Sequence, residues 1–219
     1  MFKACIFDLD GTLTDSVESI AYSANRAIAS FGFTPNPVEA YKHFAGDGAD
    51  TMLERSLIAA GDVNLEYIEP VKQKYKELFQ KDCMYLVEPY EGIVELLKIL
   101  KEKNIKIAVL SNKPHNRAVD VVEALFGKDY FDIIMGQSKH IKRKPSPDGA
   151  LIIADELGLL TSECIYIGDT NTDMITGKSA NMFTVGVTWG FRDRQELEEN
   201  HADYIIDSPL QLLEIEDIQ

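Results

Sequence analysis

The run Cys5-Ile6-Phe7-Asp8-Leu9-Asp10-Gly11-Thr12-Leu13-Thr14-Asp15-Ser16 constrains this chain more than any other segment. An apolar stretch from Ala4 to Phe7 has the composition of a buried strand. It ends in two carboxylates, Asp8 and Asp10, with Gly11-Thr12 directly behind them. Like charges at close range repel, and desolvation adds to the cost. A bound cation removes the conflict, and Mg²⁺ in particular takes a few carboxylates together with water and phosphate. Gly11 allows a sharp turn whose backbone N–H groups can face an anion. The segment points to a carboxylate nucleophile, a metal and a phosphate; an Asx-type turn alone would need none of these.

Five short apolar runs recur, at residues 3–7, 105–110, 131–135, 164–167 and 182–187, each rich in β-branched or aromatic residues and of strand length. Residues 202–206 add a sixth candidate. Helical patterns lie between the later runs: Ile93, Leu96, Leu97 and Leu100; Ala118, Val121, Val122 and Leu125; and Leu151, Ala154, Asp155 and Gly158, which Leu157 also supports. Strands alternating with helices predict an α/β fold, a Rossmann-like parallel sheet with right-handed crossovers. The interval after the first run is too long for one crossover. Val17, Ile20, Ala21, Ala24, Ala27, Ile28 and Phe31 have helical spacing, and residues 49–60 and 64–80 continue it. Residues 17–82 therefore read as an inserted all-helical cap, and residues 1–16 and 83–219 as the catalytic core.

Ligands of open parallel sheets bind beyond the carboxyl ends of the strands. The polar residues after each strand should then converge. They are Asp8 and Asp10; Ser111-Asn112-Lys113; Lys144-Pro145-Ser146-Pro147-Asp148; and Gly168-Asp169-Thr170-Asn171-Thr172-Asp173. All four segments carry groups suited to phosphate or Mg²⁺, although Ser111-Asn112 could equally cap a helix and Asp169 and Asp173 could complement a helix dipole.

The net charge of −14 and pI near 4.7 argue against nucleic acid as a partner, because a duplex backbone needs a basic face. A small phosphorylated metabolite remains compatible, since a few local cations dominate a pocket. No apolar run approaches the roughly 20 residues of a membrane span, so no membrane partner is expected. The chain enters its first strand at once, without a signal segment. Cys5, Cys83 and Cys164 form neither a zinc pattern nor a disulfide framework, which fits a reducing cytoplasm.

In order, and over nearly the whole chain, Asp8-Leu9-Asp10-Gly11-Thr12, Ser111, Lys144 and Gly168-Asp169 with Asp173 resemble the four motifs of the haloacid dehalogenase-like hydrolases with a helical cap. Members that cleave carbon–halogen bonds lack the second acid of the first motif, so Asp10 implies phosphoryl transfer. The resemblance implies an aspartyl-phosphate formed on Asp8 and proton transfer to and from the leaving oxygen by Asp10. It implies Mg²⁺ between Asp8, the backbone carbonyl of Asp10, and Asp169. Ser111 and Lys144 would hold the phosphate, with Gly11, Thr12 and Asn112 beside it. Asp173 would orient Lys144 or a metal-bound water.

The cap should choose the leaving group. His43-Phe44-Ala45-Gly46-Asp47-Gly48-Ala49-Asp50 contains a Gly-x-Gly whose backbone N–H groups can approach an anion, making Gly46 and Gly48 substrate-binding candidates. Asp47 would repel a carboxylate there unless it faces solvent or pairs with a cation such as Arg55. With Thr51-Met52-Leu53-Glu54-Arg55, Lys144-Pro145-Ser146-Pro147-Asp148 and Val185-Gly186-Val187-Thr188-Trp189-Gly190, this segment is similar to phosphoglycolate phosphatases. Pyrophosphatases, sugar-phosphate phosphatases and phosphomutases share the later motifs. A phospho-accepting receiver domain uses similar groups but needs neither the Asp-x-Asp pair nor the insert, and a non-catalytic phosphate-binding protein would not need every catalytic position filled.

Overall fold

A computed structural model describes residues 1–216 and 218. The chain divides into two units, one of Met1–Thr14 with Pro89–Gln219 and one of Asp15–Glu88. Residues 15–16 and 83–88, assigned above to the core, fall with the helices in this division. The crossings carry two short strands, β2 (Thr14–Asp15) and β3 (Glu88–Pro89), which pair with each other.

In the first unit β1 (Ala4–Phe7) is buried along its whole length. The remaining strands are β4 (Lys106–Pro114), β5 (Ile133–Gln137), β6 (Cys164–Gly168), β7 (Phe183–Val187) and β8 (Tyr204–Ile206), ordered β5-β4-β1-β6-β7-β8. All five pairings are parallel. Strands buried on both faces need near-continuous apolar sequence, which is why these runs do not alternate. The crossovers carry α5 (Ile93–Glu102), α6 (His115–Phe126), α7 (Asp148–Glu156), α8 (Asn171–Ser179) and α9 (Arg194–Glu199). One core cluster gathers Ala4, Ile6, Ala108, Leu110, Met135 and Tyr166 with apolar residues of α7.

Register aligns the functional ends. Phe7 lies opposite both Val109 and Ile167, and Asp8 N–H donates to the Ile167 carbonyl at 2.9 Å. The residues after β1 and β6 therefore emerge together. The strand predicted over 105–110 runs on to Pro114, with its register against β5 shifting between Leu110 and Pro114. Ser111, Asn112 and Lys113 are thus part of an irregular strand end. Pro114, not Ser111 or Asn112, stands at the N-cap of α6.

The second unit comprises α1 (Val17–Ala29), α2 (Ala40–Phe44), α3 (Ala49–Ala59) and α4 (Ile68–Asp82). Its apolar helical stripe on α1 is buried as the spacing predicts, through Val17, Ile20, Ala21, Ala24, Ala27 and Ile28. The short α2 was not foreseen, because five residues give no periodicity to read. It contributes the buried Tyr41, whose hydroxyl lies 2.9 Å from both Asn25 Oδ1 and Ser56 Oγ. Asn36 ties the same groups together, donating its backbone N–H to Asn25 Oδ1 and its Nδ2 to Ser56.

Candidate functional site

Asp8, Asp169 and Asp173 are buried, and each offers a carboxylate oxygen within 4.8 Å of the others. Burial pushes Asp8 up to about 7, with Lys144 opposing the shift and Asp173 adding to it. Burial also holds Asp169 well above the ordinary carboxylate range, reinforced by Asp173 and Asp8. Three acids at this spacing are strained as a bare cluster and suited to a hard divalent cation, whose charge relieves both penalties. The oxygen-only donor set fits Mg²⁺ better than zinc.

Each acid is held by specific donors. Asp8 Oδ1 accepts from Leu9 N–H at 2.7 Å and lies 2.8 Å from Lys144 Nζ. Asp169 receives Thr12 Oγ1 at 2.9 Å on one oxygen and Phe191 N–H at 2.8 Å on the other. Asp173 closes a capping box at the start of α8, where its Oδ2 accepts from Thr170 N–H and Oγ1. Its Oδ1 takes Lys144 Nζ at 2.7 Å. Lys144 is 3% exposed. Burial alone would push its ammonium down, but Asp173 and Asp8 outweigh it and hold it well above the usual lysine range.

Several of the expected site residues have specific partners within the core unit. The acidic triad contains Asp173, read from sequence as an outer residue, and the Asp10 carboxylate lies elsewhere, on Lys113 at 2.8 and 3.1 Å. The N–H of Gly11 does not face an anion; it donates to the Thr14 carbonyl at 2.9 Å. Glycine is required there for another reason: φ is +91°, and an added Cβ would stand 2.2 Å from Asp169 Oδ2. The single hydroxyl proton of Thr12, expected at a phosphate, is on Asp169. Asn112 clasps the backbone of Lys144 in both directions, Nδ2 to the carbonyl at 3.1 Å and Oδ1 from the N–H at 2.9 Å. Ser111 is buried, and its Oγ accepts from Lys113 N–H at 3.2 Å.

Gly46 and Gly48 belong to the helical unit, both with positive φ, and Gly48 precedes the first turn of α3. Between them Asp47 pairs with Arg55 at 2.6 Å, which meets the condition set above for an approaching carboxylate. Arg55 also donates to the Phe44 carbonyl at 3.0 Å.

Sequence reading placed Lys113 in the segment after the second strand without giving it a role, and it did not reach Phe191. Lys113 had a legible signal, a lysine ending an apolar strand beside predicted acids. Phe191 acts through its backbone N–H, which no side-chain pattern announces. Trp189 Nε1 donates to the Thr12 carbonyl at 3.0 Å and fastens that segment to the turn.

Residues 5–187 match the family model described as haloacid dehalogenase-like hydrolase. A phosphoglycolate phosphatase of Haemophilus influenzae is 32% identical over 220 residues, covering 98% of each chain. One of Neisseria meningitidis serogroup A is 32% identical over 211 residues, covering 94% of this chain and 90% of its own. A crystal structure from Lactobacillus delbrueckii subsp. bulgaricus, provisionally assigned as a phosphoglycolate phosphatase, superposes with a TM-score of 0.93 at 31% identity over 97% of each chain.

Proposed function

Because this chain belongs to the haloacid dehalogenase-like hydrolases, we propose that it is a Mg²⁺-dependent phosphatase of small phosphorylated metabolites, with phosphoglycolate-like monoesters as substrates. The observation that carries the reading is the division of charge in the core unit. Lys144 joins Asp8 to Asp173 at 2.8 and 2.7 Å, while Lys113 holds Asp10 separately at 2.8 Å. Two acids in different settings suit two tasks, nucleophile and proton carrier.

In the first step an Asp8 oxygen bonds to phosphorus, the ester P–O bond breaks, and Asp10 delivers its proton to the leaving oxygen. In the second, water attacks the aspartyl-phosphate and gives its proton to Asp10; the bond from phosphorus to Asp8 breaks, regenerating both acids and releasing phosphate. Lys144 attracts the phosphoryl oxygens, and Ser111 donates to one of them. Asp8, Asp169 and Asp173 would hold Mg²⁺, with the Asp10 carbonyl as the family resemblance implies. When bound, the ion offsets repulsion between the nucleophile and a phosphate dianion. The relatives' substrate, and an Asp47 neutralised by Arg55, support a short anionic ester.

Phosphate release should be measured over phosphoglycolate, pyrophosphate, a sugar phosphate and a nucleoside monophosphate, with Mg²⁺ and after exhaustive chelation. The expected result is Mg²⁺-dependent release with phosphoglycolate leading in kcat/KM. A tenfold lead for pyrophosphate or the nucleotide overturns the substrate, full activity after chelation overturns the metal, and isomer formation without release makes the chain a phosphomutase.

A further inference from the structure

The core unit's two buried lysines at the acidic site are placed differently. Lys144 lies against Asp8 and Asp173, where the phosphoryl group is transferred. Lys113, with a side chain only 2% exposed, lies against both oxygens of Asp10 at 2.8 and 3.1 Å. Asp10 is the acid on the leaving-group side, and its side chain remains 17% exposed. Resting on the phosphatase reading above, we propose that Lys113 selects for an anionic leaving group, its ammonium receiving the carboxylate of a small 2-hydroxy-acid phosphate.

The distances make one cation sufficient for both partners. To give up its proton, Asp10 must come within hydrogen-bond range of the ester oxygen, which puts Lys113 Nζ within about 6 Å of that oxygen. In a 2-hydroxy-acid ester the carboxyl carbon is two bonds from the ester oxygen, so its own oxygens fall inside that radius. An ammonium removed from bulk water attracts such a group far more strongly than an exposed lysine does. An alkyl leaving group of the same size presents nothing to it. Lys144 is not placed for this role, because Asp8 and Asp173 hold its ammonium beside the nucleophile rather than beside Asp10.

The test compares kcat/KM for phosphoglycolate and ethyl phosphate, which differ at the carboxylate, in the wild type, Lys113→Met and Lys113→Arg. Both substrates should slow in Lys113→Met, since Asp10 loses its partner. The ratio of phosphoglycolate to ethyl phosphate should also fall at least tenfold, and Lys113→Arg should restore most of it. A purely positional role would slow both substrates alike, and an unchanged ratio overturns the inference while leaving the phosphatase intact. A wild type that releases phosphate from neither overturns both. Should Lys113→Met fail to fold, product inhibition of the wild type decides: glycolate should inhibit at a concentration at least tenfold below ethylene glycol, and equal inhibition overturns the proposal.

Discussion

Lys144 Nζ lies 2.8 Å from Asp8 Oδ1, so the acid read as the nucleophile shares its charge with a buried cation. The same ammonium reaches Asp173. Breaking a buried pair from one side leaves uncompensated charge and costs about 3–5 kcal/mol. Lys144→Met in metal-free protein should lose about that much, read from urea denaturation, and added Mg²⁺ should recover part of it. Turnover should fall by roughly 10³-fold, the scale of losing one preorganised charge donor. Native stability in the chelated variant would contradict this account.

Asp8→Asn should abolish turnover while keeping the fold, since the amide matches the carboxylate in shape but is a poor nucleophile. It also isolates a pH effect. Burial raises Asp8 to about 7 in the folded protein, from an ordinary value of 3.8. Between those values the native state binds a proton that the unfolded chain has released, so the Asp8 contribution is fully present below about pH 4 and lost as pH rises through about 7. The denaturation midpoint of metal-free wild type should therefore fall relative to Asp8→Asn across that window. Mg²⁺ affinity should climb over the same window, because the ion competes with the proton. Parallel midpoints for the two proteins would rule out a raised Asp8.

Thr12→Val removes the hydroxyl on Asp169 while preserving volume and branching. The expected cost is about 1–3 kcal/mol for a buried acceptor left short of a donor. Mg²⁺ affinity should weaken about 10–100-fold, as when a ligand loses its supporting hydrogen bond. Titration calorimetry would register both the affinity and any heat change.

Tyr41→Phe tests the helical unit. The hydroxyl lies 2.9 Å from both Asn25 Oδ1 and Ser56 Oγ within a fully buried residue. Its loss should lower stability by about 1–2 kcal/mol, measured by thermal or urea unfolding. A neutral effect would mean that the network is not a significant contributor.

Much of the core was legible because parallel strands buried on both faces leave plain apolar runs, and Asp8-Leu9-Asp10-Gly11-Thr12 follows the first of them. Less legible was what each polar residue touches. Asp173 sits three residues past Thr170, where a capping box alone would explain it, and only the fold brings its other oxygen to Lys144. Asn112 reads as a substrate amide, but its partner is 32 residues away. The Asp10–Lys113 pair spans 103 residues and depends on β4 continuing past its apolar part. Periodicity sees neighbours along the chain; these contacts are set by which strands lie side by side.

The shifted register at the end of β4 has a practical corollary. Within the irregular stretch from Leu110 to Pro114 the neighbours Asn112 and Lys113 reach two separate partners, Lys144 and Asp10. The segment Leu110 to Pro114 is therefore a single transplantable cassette. Anyone building a chimaera between two such proteins should move it intact together with Asp10 and Lys144, because a splice inside it would change the strand end that holds both contacts.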